Sequence, residues 1–408
     1  MLFNGLKSCG HALAALSVIV TPATAFAGQQ LPGFELVHNA PVETSLATPD
    51  LRDAGSVWVD LISHARQSVD FEQFYVAGGG GTALDRVITA MESAGRRGVR
   101  IRFLMEQKGV SMSDEATLNR LKAIPNLTFR LLPFAQVSGD GIIHAKFFTV
   151  DGRQSYIGSQ NFDWRSLEQI DETGVLVSDA HIVGQVQAIF AHDWNAQQAL
   201  AQGHRLEPLR HEDDKADEGR RAFLVASPNA FDPKGVGDSQ AALIRLIDGA
   251  KRSVHVEVME YSPLSFSGAP YPLIDQALRR AAARGVEVRL LIADWSLSPK
   301  RQPGLLALGS VPGVEIRVAT IPQAPTGPIP FARVVHTKVM VVDDETAWVG
   351  TSNWEGGYLD NSRNLELVFR DKTMAARVDA LENSLWTSAY VQPLKQAIEE
   401  RARKANPS

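Results

Sequence analysis

Residues 61–72 read LISHARQSVDFE, and residues 246–257 read LIDGAKRSVHVE. The two stretches share six residue types in the same order, 185 positions apart. A second pair follows at an offset of 187 positions, where RGVRIRFL at 97–104 returns as RGVEVRLL at 284–291. Two matches in the same order and at nearly the same offset indicate that the chain contains two copies of one unit.

Each copy has the pattern of helix, strand, helix, strand. In the first copy, apolar periodicity predicts a helix over 57–66, and a β-rich run predicts a strand over 68–76. A glycine break at 78–81 leads to a helix over 83–97 and a short buried strand over 99–104. The alternation predicts an α/β fold with two mixed, mostly parallel sheets flanked by helices and related by a pseudo-twofold axis.

The composition is that of a soluble globular protein. Of the 408 residues, 44% are hydrophobic and 21% are charged, which argues against a disordered chain and against a membrane bundle. This length suits two domains. We place the first half at 28–203 and the second half at 222–408. Residues 204–221 between them are crowded with charge and are predicted to be a linker.

The first 27 residues have the pattern of an export signal. Lys7 precedes an apolar run over 12–20, and small residues stand before Gly28, where we expect cleavage. Cleavage would remove the single cysteine, Cys9, and change the net charge from −5 to −6. The mature chain would have no disulfide, no cysteine-bound metal and no membrane anchor. We expect a periplasmic or secreted protein, whose acidic charge argues against coating of duplex DNA.

The duplication also carries a polar motif. Residues 144–161 read HAKFFTVDGRQSYIGSQN, and residues 336–353 read HTKVMVVDDETAWVGTSN. In both copies the lysine follows the histidine by two positions, the aspartate by seven and the glycine of the GSQN or GTSN stretch by fourteen. The recurring residues are His144 and His336, Lys146 and Lys338, Asp151 and Asp343, Asn161 and Asn353. This fixed spacing predicts that both copies serve one site.

The spacing has a geometric meaning on a strand. Side chains two positions apart project from the same face, so His144 and Lys146 point the same way. A turn at Asp151 and a returning strand bring residues 158–161 back near the histidine. If the two hairpins pair about a pseudo-twofold axis, two histidines, two lysines and two asparagines face one cleft. The two aspartates lie at the far end of their strands, where we expect a supporting role.

Such a set suits phosphoryl transfer. Lysine ammonium and asparagine amide groups can hold the equatorial oxygens of a five-coordinate transition state. A neutral imidazole can attack phosphorus while a protonated imidazole donates a proton to the leaving oxygen. The chemistry then needs no cofactor, and the remaining histidines show no metal-ligand spacing such as H-x3-H. Ser159 and Thr351 could be nucleophiles, but we expect them to orient the phosphate.

The paired H-x-K-x4-D motifs resemble those of the phospholipase D superfamily, over nearly all of residues 28–408. The phrases GSQNFDWRSL at 158–167, GTSNW at 350–354 and VMEYSP at 258–263 are similar to the animal family members three and four. The resemblance implies a metal-independent phosphodiesterase that acts through a phosphohistidine on single-stranded nucleic acid ends. The alternative is a secreted phospholipase D that hydrolyses or transfers phospholipid headgroups. A binding protein without catalysis is a third reading, against which the completeness of both motifs argues.

The resemblance also implies roles for single residues. His144 would be the nucleophile and His336 the general acid, although the pseudo-symmetry allows the reverse. Glu172, 28 positions after His144, and Glu366, 30 positions after His336, match acidic residues that bond the histidines in the family. The repeated glutamates, Glu72 and Glu257, are either structural or brace the cleft. The proline-rich segment 322–330 is expected to shape one cleft wall. The oligomeric state stays open.

Overall fold

In the computed structural model, the described part of the chain is residue 1, residues 31–210, 212, 215 and 217–405. The predicted export signal over 1–27 lies outside it, apart from Met1, as do four residues of the predicted linker. Within that part, no helix has the length and apolar character needed to cross a membrane.

The first half begins with a strand and ends with a long helix. Its elements are β1 (Phe34–Asn39), α1 (Ala54–His64), β2 (Ser68–Gln73), β3 (Val76–Ala77), α2 (Ala83–Arg96), β4 (Arg100–Glu106), a 3-10 helix (Gln107–Met112), α3 (Glu115–Lys122), β5 (Leu127–Leu132), α4 (Ala135–Ser138), β6 (Phe147–Val150), β7 (Gln154–Gly158), β8 (Phe162–Asp163), α5 (Trp164–Glu168), β9 (Glu172–Val177) and α6 (Ala180–Ala201).

The second half repeats this order with additions, and among its described residues it has no counterpart of the short helices α4 and α5. Its elements are β10 (Ala222–Ser227), a 3-10 helix (Asn229–Phe231), β11 (Gly237–Asp238), α7 (Ser239–Gly249), β12 (Ser253–Val258), β13 (Tyr261–Ser265), α8 (Leu273–Ala283), β14 (Glu287–Ala293), a 3-10 helix (Asp294–Ser296), α9 (Gln302–Gly309), β15 (Val314–Ala319), β16 (Lys338–Val342), β17 (Thr346–Gly350), β18 (Trp354–Gly356), β19 (Asn364–Phe369), α10 (Lys372–Trp386), β20 (Val391–Pro393) and α11 (Leu394–Ala405).

Each half forms its own mixed sheet. The first sheet has the order β1-β9-β7-β6-β2-β4-β5, and the second has β11-β10-β19-β17-β16-β12-β14-β15-β20. The mixed α/β class and the duplication are confirmed. The strands of these two sheets are not mostly parallel, however, because within them only β2-β4-β5, β12-β14-β15 and the short β10-β11 pair run in parallel. The motif hairpins and the strands beyond them pair antiparallel, as strands joined by tight turns do.

Local chemistry explains where the predicted elements start and stop. Helix α1 begins three residues earlier than predicted, because the Asp53 side chain accepts a hydrogen bond from Ser56 N at 2.8 Å and caps it. Helix α2 and strand β4 closely match the predicted ranges. The β-rich run over 68–76 is divided between β2 and β3, and β3 leaves the main sheet to pair with β8.

The halves share one hydrophobic core. Phe147 and Ile157 of the first hairpin are fully buried in the same cluster as Val339 and Leu367 of the second half, together with residues of α6 and α10. The opposite face of each sheet packs against its own helices in a separate cluster. The hairpins that carry the motifs therefore lie where the halves meet.

The halves exchange equivalent backbone contacts at this junction. Arg363 O accepts hydrogen bonds from His144 N at 2.9 Å and Ala145 N at 2.8 Å, and Asp171 O accepts one from His336 N at 2.9 Å. Each histidine strand is thus held by the segment that precedes β19 or β9 of the other half. Reciprocal contacts of this kind are the mark of twofold pairing, and they confirm the predicted pseudo-twofold relation.

Candidate active site

The two histidines line a single cavity. His144 precedes β6 and His336 precedes β16, and the cavity between them has a volume of about 450 Å³. Asn161, Asn353 and Glu260 line the same cavity. The structure therefore brings together the histidines and asparagines that the sequence placed in one cleft.

His144 is bonded to a neutral amide. Its Nδ1 lies 3.0 Å from Oδ1 of Asn364, and the residue is 5% exposed. Donation of Nδ1–H to this oxygen leaves the lone pair on Nε2. Burial, with the positive charges of Lys146 and Lys338, lowers the pKa of His144 well below its usual value. The environment favours the neutral imidazole.

His336 is bonded to a carboxylate instead. Its Nδ1 lies 2.8 Å from Oε2 of Glu172, whose side chain is fully buried. Burial lowers the pKa of His336, and the Glu172 charge opposes this shift. Of the two histidines, His336 is the one whose imidazolium form has a charged partner.

The two lysines place positive charge beside the histidines. Lys146 and Lys338 are 1% and 0% exposed, and each ammonium group donates to the backbone oxygen of the histidine in its own motif. Burial, with the charge of Lys338, lowers the pKa of Lys146 well below normal. Burial lowers the pKa of Lys338 to about 7, against the opposing charge of Glu172. A bound anion would relieve the cost of holding two buried cations close together.

The asparagines have unused hydrogen-bonding capacity. Asn161 and Asn353 are 6% and 2% exposed, and the Oδ1 atom of each has no hydrogen-bond partner among the described residues. The Asn353 amide nitrogen makes a 3.5 Å contact with Glu260. Because the two ends of an amide are assigned from their contacts, each amide can turn so that its NH₂ group donates to a phosphate oxygen in the cavity.

The structure places Ser159 and Thr351 differently from the expected phosphate contact. Ser159 Oγ is fully buried and bonded to the backbone of Thr173, as donor to O at 3.2 Å and acceptor from N at 3.0 Å. Thr351 Oγ1 donates to Asn364 Oδ1 at 2.9 Å. The Ser159 hydroxyl thus holds Thr173 of β9 in place, and the Thr351 hydroxyl holds the side chain of Asn364.

Asp151 and Asp343 lie at the turn end of their hairpins. Asp151 accepts hydrogen bonds from the backbone N–H groups of residues 66–68, and Asp343 accepts them from residues 251–253. Burial alone would raise the pKa of each, but these bonds outweigh it and lower both values. The aspartates support the fold and do not line the cavity described here.

Glu366 does not contact a histidine. Its carboxyl group accepts hydrogen bonds from Ser239 and Ser352, and burial raises its pKa to about 7. The partner of His144 is Asn364, a residue that was not among those predicted from the sequence. A signal for it was present, because Asn364 follows His336 by 28 positions, the spacing of Glu172 from His144.

The repeated glutamates, Glu72 and Glu257, are both buried, and neither lines the active-site cavity. The pKa of Glu72 is raised by burial and by Asp193, and the pKa of Glu257 by burial and by Asp171. The charge of Arg363 also acts on Glu72 and the charge of Lys338 acts on Glu257, so a structural role and a role in bracing the cleft both stay predictions.

The cavity mouth carries aromatic side chains. Phe331, directly after the proline-rich segment, is 71% exposed, and the Arg165 guanidinium lies 5.7 Å from its ring centroid. Trp295, 37% exposed, and Met112, 52% exposed, also line the cavity. No residue of the segment 322–330 itself lines this cavity, so the predicted role of that segment in shaping the cleft stays a prediction.

Known proteins share this architecture. The family described as "Cardiolipin synthase, PLD-like domain" matches residues 58–194 and 243–386. Phospholipase D Z of Dictyostelium discoideum is 32% identical over 383 residues, covering 86% of this chain and 88% of that protein. The 5'-3' exonuclease PLD4 of Mus musculus is 29% identical over 411 residues, covering 89% and 80%.

A solved structure supports the fold. Phosphatidylserine synthase from Haemophilus influenzae superposes with a TM-score of 0.58 at 11% identity, over 85% of this chain and 86% of that one. The family model matches twice, once in each half. The chain therefore belongs to the phospholipase D superfamily, in the branch of the animal members three and four, and is a phosphodiesterase of that type.

Proposed function

We propose that this phosphodiesterase works without metal through a covalent phosphohistidine on His144, with His336 as the acid. The observation that carries the proposal is the unequal pair of histidine partners, Asn364 at 3.0 Å and Glu172 at 2.8 Å. An amide favours the neutral, nucleophilic imidazole, whereas a carboxylate stabilises the imidazolium.

The steps follow from these protonation states. His144 Nε2 attacks phosphorus, the P–O bond to the leaving group breaks, and His336 donates its proton to the departing oxygen. The now neutral His336 then takes a proton from water as that water attacks the phosphohistidine, which frees His144. Lys146, Lys338 and the two asparagine amides hold the negative oxygens throughout.

We propose single-stranded nucleic acid ends as the substrate. Exposed Phe331 backed by Arg165, with Trp295 nearby, offers aromatic faces on which bases can stack. A cavity of about 450 Å³ has the size of a small-molecule site, which suits a terminal nucleotide better than a strand passing through. The exonuclease name of the related PLD4 is consistent with this choice.

A second candidate substrate is a phospholipid headgroup. Met112, Ile170 and Val334 make part of the cavity wall apolar, and an apolar wall suits an acyl chain. The relatives named phospholipase D support this alternative.

The deciding experiment offers both substrates to one enzyme preparation in EDTA. A 3′-labelled single-stranded oligonucleotide should shorten stepwise from the 5′ end, and phosphatidylcholine vesicles should release little choline. In Phe331→Ala, loss of one stacking contact of about 1–3 kcal/mol should raise KM for the oligonucleotide roughly 10-fold, with little effect on bis(p-nitrophenyl) phosphate. Leu209→Ala, at a side chain 52% exposed outside the cavity, is the matched control. Choline release with an intact oligonucleotide would contradict the proposal.

We also propose that the chain is exported, on the pattern of residues 1–27. N-terminal sequencing of protein recovered outside the cytoplasm should start at Gly28. Recovery of the full chain from the cytoplasm alone would contradict export.

A further inference from the structure

A cluster of potential metal ligands lies on the second half, outside the active-site cavity. His255 stands on β12, and Asp379 and Glu382 stand one turn apart on α10. One ligand atom from each of the three lies within 4.8 Å of the others. His255 Nδ1 is 2.8 Å from Asp379 Oδ1.

Glu382 is the member that needs a partner. Its side chain is 0% exposed, and neither carboxylate oxygen has a hydrogen-bond partner in the described structure. Burial of a carboxylate without a partner is costly. Buried polar groups in native proteins have partners as a rule, and an ion is one way to provide one.

The two arginines near Glu382 make hydrogen bonds to other residues. Arg289 Nε bonds Glu287 at 2.6 Å and Arg317 Nε bonds Glu315 at 2.7 Å, while both guanidinium groups lie over the Trp386 ring. They act on Glu382 only as nearby charges.

The equivalent positions in the first half hold a paired acidic group. By the repeat, Asp70 corresponds to His255 and Arg102 to Arg289. Arg102 donates two hydrogen bonds, of 2.6 and 2.7 Å, to the Asp70 carboxylate. In the first half the arginine thus satisfies the acidic group, whereas in the second half an imidazole and two carboxylates face one another.

We propose that His255, Asp379 and Glu382 bind one divalent transition-metal ion, Zn²⁺ or Mn²⁺. One imidazole with two carboxylates is a ligand set for such ions, whereas Mg²⁺ and Ca²⁺ prefer oxygen ligands alone. Water would complete the coordination. The ion ties α10 to β12 and stabilises the second half. None of the three ligands lines the active-site cavity, so the ion has no part in catalysis.

The sequence shows no sign of this site, because His255 and Asp379 are 124 positions apart. Only the packing of α10 on the sheet brings the ligands together.

The test measures thermal unfolding and metal content of the full chain after EDTA treatment and dialysis. Addition of ZnCl₂ or MnCl₂ at about 100 times its dissociation constant should raise the unfolding midpoint by roughly 5 °C. MgCl₂ should cause no shift. Elemental analysis should find about one ion per chain at saturation.

Variants separate this site from other ligands. Glu382→Gln and Asp379→Asn should each abolish the metal-induced shift, and the second variant covers a folding defect in the first. His64→Gln, at an exposed histidine paired with Asp60 alone at 3.1 Å, should keep the shift. The double variant His144→Asn/His336→Asn should keep it too, because the active-site imidazoles are not the ligands.

Three results would overturn the proposal. They are no bound ion in the wild type, an undiminished shift in both carboxylate variants, and a shift lost only in the active-site double variant. These outcomes do not depend on the proposed catalytic mechanism.

Discussion

His144 and His336 are the same residue type in equivalent positions, yet their partners give them different chemistry. An amide oxygen holds His144 and a carboxylate holds His336. In a symmetric pair neither histidine would be favoured as the nucleophile. Here the partners break the symmetry and assign the roles.

Replacement of the carboxylate tests this assignment. Glu172→Gln keeps the size of the side chain but removes the charge that stabilises the His336 imidazolium. We expect kcat to fall about 100-fold, the scale of a lost orienting partner. The pKa of His336 should fall, so the alkaline limb of the pH profile should move to lower pH. Kinetics at a series of pH values would show this.

The matched control is Asn364→Asp. It puts a carboxylate on His144, should raise the pKa of that histidine and should move the acid limb to higher pH. If Glu172→Gln moved neither limb, the assigned roles would be wrong.

The wild-type pH profile is a further test. Burial is the largest cause of the lowered pKa values of both histidines. His144 must be neutral and His336 protonated, so rate should rise through the lower apparent pKa and fall through the higher one. Both limbs belong to the pair. We expect a bell-shaped profile with its optimum below about pH 6.5. An optimum above pH 8 would contradict this account.

At the scale of elements, each motif is a hairpin held at both ends. The histidine end is fixed by the other half, and the turn end is fixed by Asp151 or Asp343. Asp343 has a φ of 56°, a left-handed conformation that aspartate and asparagine tolerate well. The spacing between the two ends, which is the same in both copies, thus has a structural cause as well as a chemical one.

Asp343→Asn tests the turn. Asparagine suits the same backbone but offers one acceptor oxygen, so we expect a loss of about 1 kcal/mol in the free energy of unfolding. Because the folded pKa of Asp343 is lowered, its stabilising effect is present above the unfolded pKa and is lost as pH falls through the folded value. Urea unfolding should therefore show a difference at pH 7 that shrinks below about pH 4.

The control for this variant is Asp344→Asn, since the Asp344 side chain is 63% exposed and its nearest ion-pair contact is 3.6 Å. If both changes lowered the free energy of unfolding equally, the hydrogen bonds that Asp343 accepts from the backbone would not be the source of the loss. The kcat of Asp343→Asn should change far less than that of a histidine variant.

The elements also show what the sequence could predict. Apolar periodicity correctly predicted α1, α2 and β4. Each of them buries apolar side chains at regular intervals, and such spacing can be read from the sequence. The excess of antiparallel pairs could not be predicted, since strand direction depends on which strands become neighbours. Glu366 was predicted to bond a histidine because it is acidic. The residue that follows His336 by 28 positions, as Glu172 follows His144, is Asn364.

At the scale of the molecule, the two halves complete each other's sites. Arg363, fully buried, bonds Asp193 at 2.6 Å and Asp232 at 2.5 Å while its backbone holds the His144 strand. Asp171 occupies the equivalent place before β9 and bonds His38 at 3.0 Å. These contacts join residues more than 100 positions apart, so the sequence alone could predict one shared cleft but not how the cleft is braced.

The central claim is that one histidine from each half acts on one phosphorus atom, with distinct roles. The most direct measurement mixes His336→Asn and His144→Asn separately with excess bis(p-nitrophenyl) phosphate in EDTA and follows p-nitrophenolate release in a stopped-flow instrument. Nitrophenolate leaves without needing a proton, so His336→Asn should release about one equivalent in a burst and then stall. His144→Asn should show no burst, and mass spectrometry of the stalled His336→Asn should find the phosphoryl adduct on the peptide that contains His144. A burst from His144→Asn, or an adduct on any other residue, would contradict the account.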